Sequence, residues 1–384
     1  MIKKYFIGIS FIALTSVNAS TKDIDFGESS INKPSTPVQK KWLKSKTHPG
    51  FIPLNTNSID FIDIRAYGDS GWSWTHESPA MSPEFGLALD RFSPSGEIYR
   101  GDINFINWES TIGFSCNEWH APYVRGRSYA FLADPENINQ GLDRGIENFA
   151  LSNNHTRDCV ENLETGLNGQ LSTIHYLNDI KNNNPTLNFH GISKQNKNKV
   201  TVFNKEVKGN KITVAFASYY TGRESCPHSV CSENDKELIE NFKKIQADLK
   251  VLMIHTMSDQ SKLVSVAKDF INKANGDIVF GSGPHRWKPI RVIKKNKGYG
   301  IIFDSLGNFL HPSMASQSKN IIARILLNPK TKRLVQVQAV SVRNEQNNVI
   351  ASELSPTLID SEIEFIPHEI SSDNQVFKSM YFNF

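Results

Sequence analysis

Short apolar runs, each stopped by one or two polar residues, recur along the chain from Phe61 onward, with stretches of helical spacing between them. The run at 61–67 predicts a strand ending at Gly68-Asp69, and the run at 102–107 predicts another ending at Trp108-Glu109. Phe149-Ala150-Leu151 predicts a third, stopped by Ser152-Asn153-Asn154-His155. Asp134 and Pro135 mark a helix start as cap and first-turn residue. Spacing predicts further helices over 163–177, 237–249 and 263–274, and a short strand at 187–189. Residues 200–220 read as a hairpin turning at Gly209-Asn210. The run at 251–254 stops at His255, and that at 277–280 stops in Gly281-Ser282-Gly283-Pro284-His285. A hairpin around Lys297-Gly298 leads into Ile301-Ile302-Phe303, and two β-rich runs over 321–342 flank a turn at Asn328-Pro329-Lys330. Alternating strands and helices predict an α/β architecture with helices covering both sheet faces. The runs are continuously apolar, as expected for strands buried on both sides.

The chain before residue 58 has a different texture. Lys3 and Lys4 precede an apolar stretch at 5–17 that is short for a bilayer span, and Val17-Asn18-Ala19 offers small residues for cleavage. This predicts a signal peptide over 1–19, the competing reading being an uncleaved anchor, and therefore a periplasmic or secreted protein. Residues 20–57, rich in Ser, Thr, Asn, Lys and Pro, read as a flexible arm. The main domain is expected over 58–345, with 346–384 as a C-terminal extension. No later segment is long and apolar enough to predict a membrane-spanning helix.

Composition narrows the function. Of 384 residues 39% are hydrophobic and 21% charged, ample for a buried core in a soluble protein. The formal charge of +4 falls to +2 when Lys3 and Lys4 leave with the leader, which argues against a nucleic-acid footprint. Cys116, Cys159, Cys226 and Cys231 can form disulfides after export, with three possible pairings. Cys226 and Cys231 bracket a short loop with Pro227, and pairing them leaves Cys116 with Cys159. A cysteine metal site is disfavoured because the spacings lack two close pairs.

The candidate chemistry lies at the strand ends. Asp69, Glu109, Asn154, His155, His255 and His285 each fall in the first turn after an apolar run, where open α/β sheets bind ligands. Carboxylate, amide and imidazole brought to one edge make a donor set for a divalent ion such as Mn, Fe or Zn. Each residue also has a structural reading: Asp69 as a turn cap, Glu109 as a buried ion-pair partner, His255 as a core histidine.

Five stretches give the chain a family likeness: Ala66-Tyr67-Gly68-Asp69; the segment 102–109 ending Asn107-Trp108-Glu109; Leu151-Ser152-Asn153-Asn154-His155-Thr156-Arg157-Asp158; Gly281 to His285; and Asp304-Ser305-Leu306-Gly307-Asn308-Phe309. Together they resemble the CapA family of poly-γ-glutamate capsule synthesis proteins, which shares the metallophosphoesterase fold. The resemblance implies a layered sandwich of two mixed β-sheets flanked by helices. It implies one or two divalent ions held by Asp69, Glu109, Asn154, His255 and His285. Asn154 also helps hold the substrate, and His155 acts as general acid toward an anionic small-molecule or polymer substrate. Two positions depart from metallophosphoesterase patterns: Gly71 stands where metallophosphoesterases place a histidine two residues after the first Asp, a histidine that the CapA group commonly lacks too, and Gly283 replaces the first histidine of CapA's His-Pro-His block. The alternative reading is therefore a catalytically degenerate exported protein that binds an anionic surface polymer. Asn308 reads as a brace for neighbouring loops, and Asp158 as a partner of Arg157 or a helix cap. Trp72, Trp74 and Trp108 read as core or lid packing, with a sugar platform as the alternative.

Overall fold

The computed structural model describes residues 50–54, 61–71, 73–75, 84–120, 129–162, 164–195, 197–222, 226–311, 317–345, 348–352, 356 and 365–384. The expected leader, residues 20–49 of the expected arm, Trp72 and the Trp74 side chain lie outside them.

Two mixed sheets stack face to face. The larger runs in space as Ile366–Ser372, Gln375–Asn383, Leu334–Glu345, Gln317–Leu327, Ile62–Ser70, Ile103–Trp108, Asn148–Ala150 and Asn188–His190, with Asn348–Ala351 also pairing Leu334–Glu345. From Ile62–Ser70 to Asn188–His190 its strands are parallel; toward the other edge they are antiparallel. The smaller runs Thr201–Val207, Asn210–Tyr220, Leu249–His255, Ile278–Ser282, Tyr299–Phe303 and Ile290–Lys294, with antiparallel strands at both edges. Ile64, Phe105, Phe216, Val251, Phe280, Ile301 and Ile325 interleave between the sheets. Helices Phe85–Phe92, Glu136–Asp143 and Gly169–Asn183 cover the outer face of the larger sheet through Leu89, Leu142 and Leu177. Helices Asp235–Lys244 and Gln260–Lys273 cover the other through Phe242, Leu263 and Phe270. The result is the layered α/β sandwich of two mixed sheets.

Local chemistry sets the helix boundaries. The helix expected from residue 163 starts at Gly169, where the Asn168 side chain accepts from Leu171 N at 3.0 Å. The Asp259 carboxylate similarly caps Gln260–Lys273, accepting from Lys262 N at 2.9 Å. Helix Asp235–Lys244 stops before the expected 249 because Leu249 already belongs to the next strand. Helix Phe85–Phe92, whose signal is a short amphipathic stretch, does not stand out from spacing alone. Residues past 345 contribute the edge hairpin Ile366–Ser372 and Gln375–Asn383, so the larger sheet continues into the expected extension. Both disulfides, Cys116–Cys159 and Cys226–Cys231, are formed. No helix among the described residues is long and apolar enough to cross a membrane.

The outward face of Ile62–Ser70 carries charge into the core. Asp63 accepts from Arg65 at 2.8 and 3.1 Å and from Arg324 Nε at 2.8 Å, and all three side chains are buried. The guanidiniums then reach back to residues 50–54: Arg65 to the Leu54 carbonyl at 3.1 Å, Arg324 to those of Ile52 and Pro53 at 2.8 Å. Removing one partner of a buried ionic network strands the rest, so Asp63→Ala should cost about 3–5 kcal/mol, read by denaturant unfolding. A loss under about 1 kcal/mol would mean the guanidiniums find water instead.

The parallel edge of the larger sheet meets the smaller sheet at His190. Its Nδ1 accepts from Ser218 N at 2.8 Å, and burial pulls its pKa down to about 4. The unfolded imidazole titrates near 6.5, so as pH falls between these values the unfolded chain binds more protons and stability falls with it, by roughly 3 kcal/mol in all. His190→Asn keeps an acceptor for Ser218 without the proton, and its stability should depend less on pH than wild type's between pH 6.5 and 4. Parallel pH curves for the two proteins would contradict a buried neutral imidazole.

Candidate metal centre

Five strands and the turns that follow them build the centre. In Ile62–Ser70 the register against Ile103–Trp108 slips between Tyr67 and Asp69, a bulge at Gly68. A Cβ at Gly68 would meet the Gly307 carbonyl oxygen at 1.7 Å, so only glycine permits this approach. The bulge re-aims Asp69 toward the other strand ends. The 304–311 turn is stitched beside it: Asp69 N donates to Gly307 O at 2.9 Å and Phe309 N donates to Asp69 O at 2.8 Å. Glu109 follows the adjacent parallel strand, its N–H held by Ser70 O at 2.6 Å. The turn carrying Asn154 and His155 is pinned by Asn153, whose amide donates to Trp108 O at 2.8 Å and accepts from His155 N at 3.0 Å. His255 closes Leu249–His255, and His285 lies in the turn after Ile278–Ser282 with φ 54°, a left-handed conformation rare outside glycine.

All the sequence-predicted residues converge. Ligand atoms of Asp69, Glu109 and His255 lie within 4.8 Å of one another. His255 Nδ1 is 3.4 Å from Asp69 Oδ1, and its Nε2 is 3.5 Å from Glu109 Oε1 and 2.6 Å from Asn154 Oδ1. His285 Nδ1 stands 3.4 Å from Asp69 Oδ2, and His155 Nε2 is 3.7 Å from Glu109 Oε1. Asp69 and Glu109 are completely buried.

The donor set fits a divalent cation. Neither oxygen of Glu109 has a hydrogen-bond partner, an arrangement that costs several kcal/mol unless a cation compensates it. The 3.4–3.7 Å separations exceed hydrogen bonds. They match ligands sharing one ion, which lie about 3–3.5 Å apart when each bond is about 2.0–2.2 Å. The chain's own compensation is protonic. Burial opposes charge on Asp69, yet His255 and His285 outweigh it and hold the carboxyl well below its ordinary range. Burial and the neighbouring Asp69 likewise push Glu109 up, and His255 and His311 bring it below its ordinary value. Burial opposes the His285 charge too, but the carboxylates raise that imidazole to about 9. Metal binding would displace such protons.

Several contributors escaped sequence reasoning. Asn107 Nδ2 donates to Asp69 Oδ1 at 2.8 Å and lies 3.2 Å from His255 Nδ1. Ser282 Oγ is 3.0 Å from the same nitrogen. Both sit at or next to a strand's last position, which is the only signal they carry. His311 is buried with Nε2 3.5 Å from Glu109 Oε2. Asp158 does not serve as expected: its carboxylate faces His155 Nδ1 at 2.6 Å and accepts from Phe131 N at 2.7 Å. Burial disfavours charge on His155, and Asp158 overcomes it and raises the imidazole pKa; burial raises the Asp158 carboxyl as well. Asn308 braces as expected, with Oδ1 2.8 Å from His285 Nδ1 and its N–H on Asn320. Trp108 packs in the core against Phe85 and Phe149. Gly283 is more than a lost side chain. With φ 107° and a virtual Cβ 1.9 Å from the Thr256 carbonyl oxygen, its backbone excludes histidine, and its N–H donates to Asp69 Oδ2 at 2.9 Å.

Two solved structures share distant likeness. A novel phosphatase from Mycoplasma pneumoniae is 14% identical, covering 74% of this chain and 94% of that one, with a TM-score of 0.46. A hypothetical protein from Thermus thermophilus is 12% identical, covering 72% and 97%, with a TM-score of 0.40. No curated protein matches. Residues 85–313, more than half of the chain, match the family model described as bacterial capsule synthesis protein PGA_cap, and the chain belongs to that family.

Proposed function

We propose that this is an exported, metal-dependent hydrolase of the phosphoesterase type, working on an anionic substrate in capsule-polymer chemistry. The observation that carries the reading is the buried Glu109 carboxylate, with no hydrogen-bond donor and with imidazoles on both oxygens at ligand-like distances. Asp69, Glu109, Asn154, His255 and His285 hold one or two ions of Mn, Fe or Zn. Such an ion polarises a phosphoryl oxygen and lowers the pKa of its water toward about 7.

The chain's own residues supply the rest. Asn154 contributes a neutral oxygen donor, so it does not add to the negative charge facing an anionic substrate. His155 is partly accessible, its side chain 14% exposed, unlike the buried carboxylate beside it. Asp158 takes its Nδ1–H, which fixes the ring and leaves Nε2–H facing the site as a proton donor for the departing oxygen. After donation the ring stays oriented, because the Nδ1–H bond to Asp158 persists. Export is supported by the leader-like N-terminus and by two disulfides, which suit an oxidising compartment. The competing reading, a polymer-binding protein without turnover, draws on the glycine-only backbone at 283.

The two readings separate on turnover. With Mn or Zn loaded, the protein should cleave a generic phosphodiester or phosphomonoester. His155→Ala should lower turnover by about 100-fold or more while keeping the metal, whereas Asp69→Ala should lose the metal measured by elemental analysis. Wild-type turnover in both variants would place the site elsewhere. Metal retention with no turnover on either ester would favour the binding protein.

A further inference from the structure

We propose that His311 is a metal ligand of this chain, completing a second cation position on the Glu109 Oε2 side of the centre. The proposal rests on the metal-centre reading above and adds to it a residue outside the predicted ligand set.

Two clusters divide the donors around Glu109. On the Oε1 side stand His255 Nε2 at 3.5 Å and, 2.6 Å from that nitrogen, Asn154 Oδ1. On the Oε2 side stands His311 Nε2 at 3.5 Å. The His285 ring lies beside it, centroid to centroid 5.7 Å, and its Nδ1 is 3.4 Å from Asp69 Oδ2. Carboxylates that present one oxygen to each of two clusters are natural bridges between paired ions. The second group of donors therefore comprises Asp69, Glu109 Oε2, His285 and His311, two carboxylates and two imidazoles, a set suited to Mn, Fe or Zn.

The backbone explains how His311 arrives there. Residue 71, where the sequence offers glycine, donates its N–H to Leu310 O at 2.9 Å, so the end of Ile62–Ser70 runs beside the residue preceding His311. The neighbouring turn thus delivers its next side chain, His311, to the end of the strand that carries Asp69. That turn is fixed by the Asp69–Gly307 and Asp69–Phe309 backbone bonds, and by Asn344 Nδ2 donating to Phe309 O at 2.7 Å and His311 O at 3.2 Å. The ring is also fixed by Phe131, edge to face at 5.1 Å. Side chains pre-positioned by such a shell lose little freedom on binding.

The test counts metal in the full mature chain. Cobalt(II) or manganese(II) added to chelator-stripped protein should bind at two equivalents in wild type. In His311→Gln, which preserves volume and polarity, one equivalent should be lost or weakened by about 10-fold or more while the other remains. Thermal unfolding in chelator should be nearly the same for both proteins, which separates lost ligation from lost folding. If His311→Gln does not fold, wild type decides alone. The cobalt(II) protein should then show three hyperfine-shifted exchangeable imidazole protons, from His255, His285 and His311, and two would leave His311 outside the coordination sphere. Two tightly held equivalents in His311→Gln, or a single wild-type equivalent that the variant retains, would overturn the proposal while leaving the centre itself standing. No bound metal in wild type would overturn both.

Discussion

Asp69 and Glu109 are two carboxylates with no solvent exposure, close enough to meet the same imidazole ring. Each would cost several kcal/mol to bury as an anion, and their mutual repulsion adds to that. The fold offsets the cost by surrounding them with His255, His285 and His311, while His155 and Asp158 form a separate charged pair at the rim. The raised pKa of His285 puts a proton beside Asp69 in the chain alone, and a divalent ion would compensate both carboxylates more completely. Most of the structure around the centre follows from holding those two carboxylates in place.

The supports come from backbone as much as from side chains. The Gly68 bulge turns Asp69 inward, and its backbone then forms a two-bond clasp with the 304–311 turn. Asn153 ties the Asn154-His155 turn to Trp108, whose ring is clamped between Phe85 and Phe149. On the far side, Ser152 N donates to Ser218 Oγ at 3.0 Å, tying the turn to the second sheet, and Leu151 N donates to His190 O at 2.9 Å within the first. A ligand set drawn from both sheets is only as precise as the packing between them. The buried aromatic layer of Phe105, Phe216 and Phe280 lies directly behind it.

Much of this is legible in the sequence because burial on both faces leaves a strong mark. The runs before His255 and Gly281 are continuously apolar with abrupt polar stops, whereas Ile62–Ser70 and Ile103–Trp108 are interrupted by Asp63 and Arg65 and by Asn104 and Asn107. The hairpin turn at Gly209-Asn210 announces itself through turn chemistry. Helix starts are less legible: Asn168 and Asp259 cap their helices through single side-chain bonds that compete with many similar residues nearby. Asp158 departs from expectation because sequence proximity to Arg157 says nothing about the turn that folds its carboxylate back onto His155.

The harder lesson concerns Gly71, Gly283 and His311. Motif reading assigns ligands by spacing along one strand end, so a glycine at an expected ligand position reads as a loss. The metal requires only that donors reach a point in space, and several strand ends reach the same point here. At Gly283 the backbone has been committed to a different task, donating its N–H to Asp69 in a conformation that no histidine adopts without a clash. At Gly71 the N–H is likewise committed, to Leu310, and the side chain next along that neighbouring turn is a buried imidazole on Glu109. The pairing that brings that imidazole beside the strand is long-range, between residues 71 and 310, and no local pattern in the sequence encodes it.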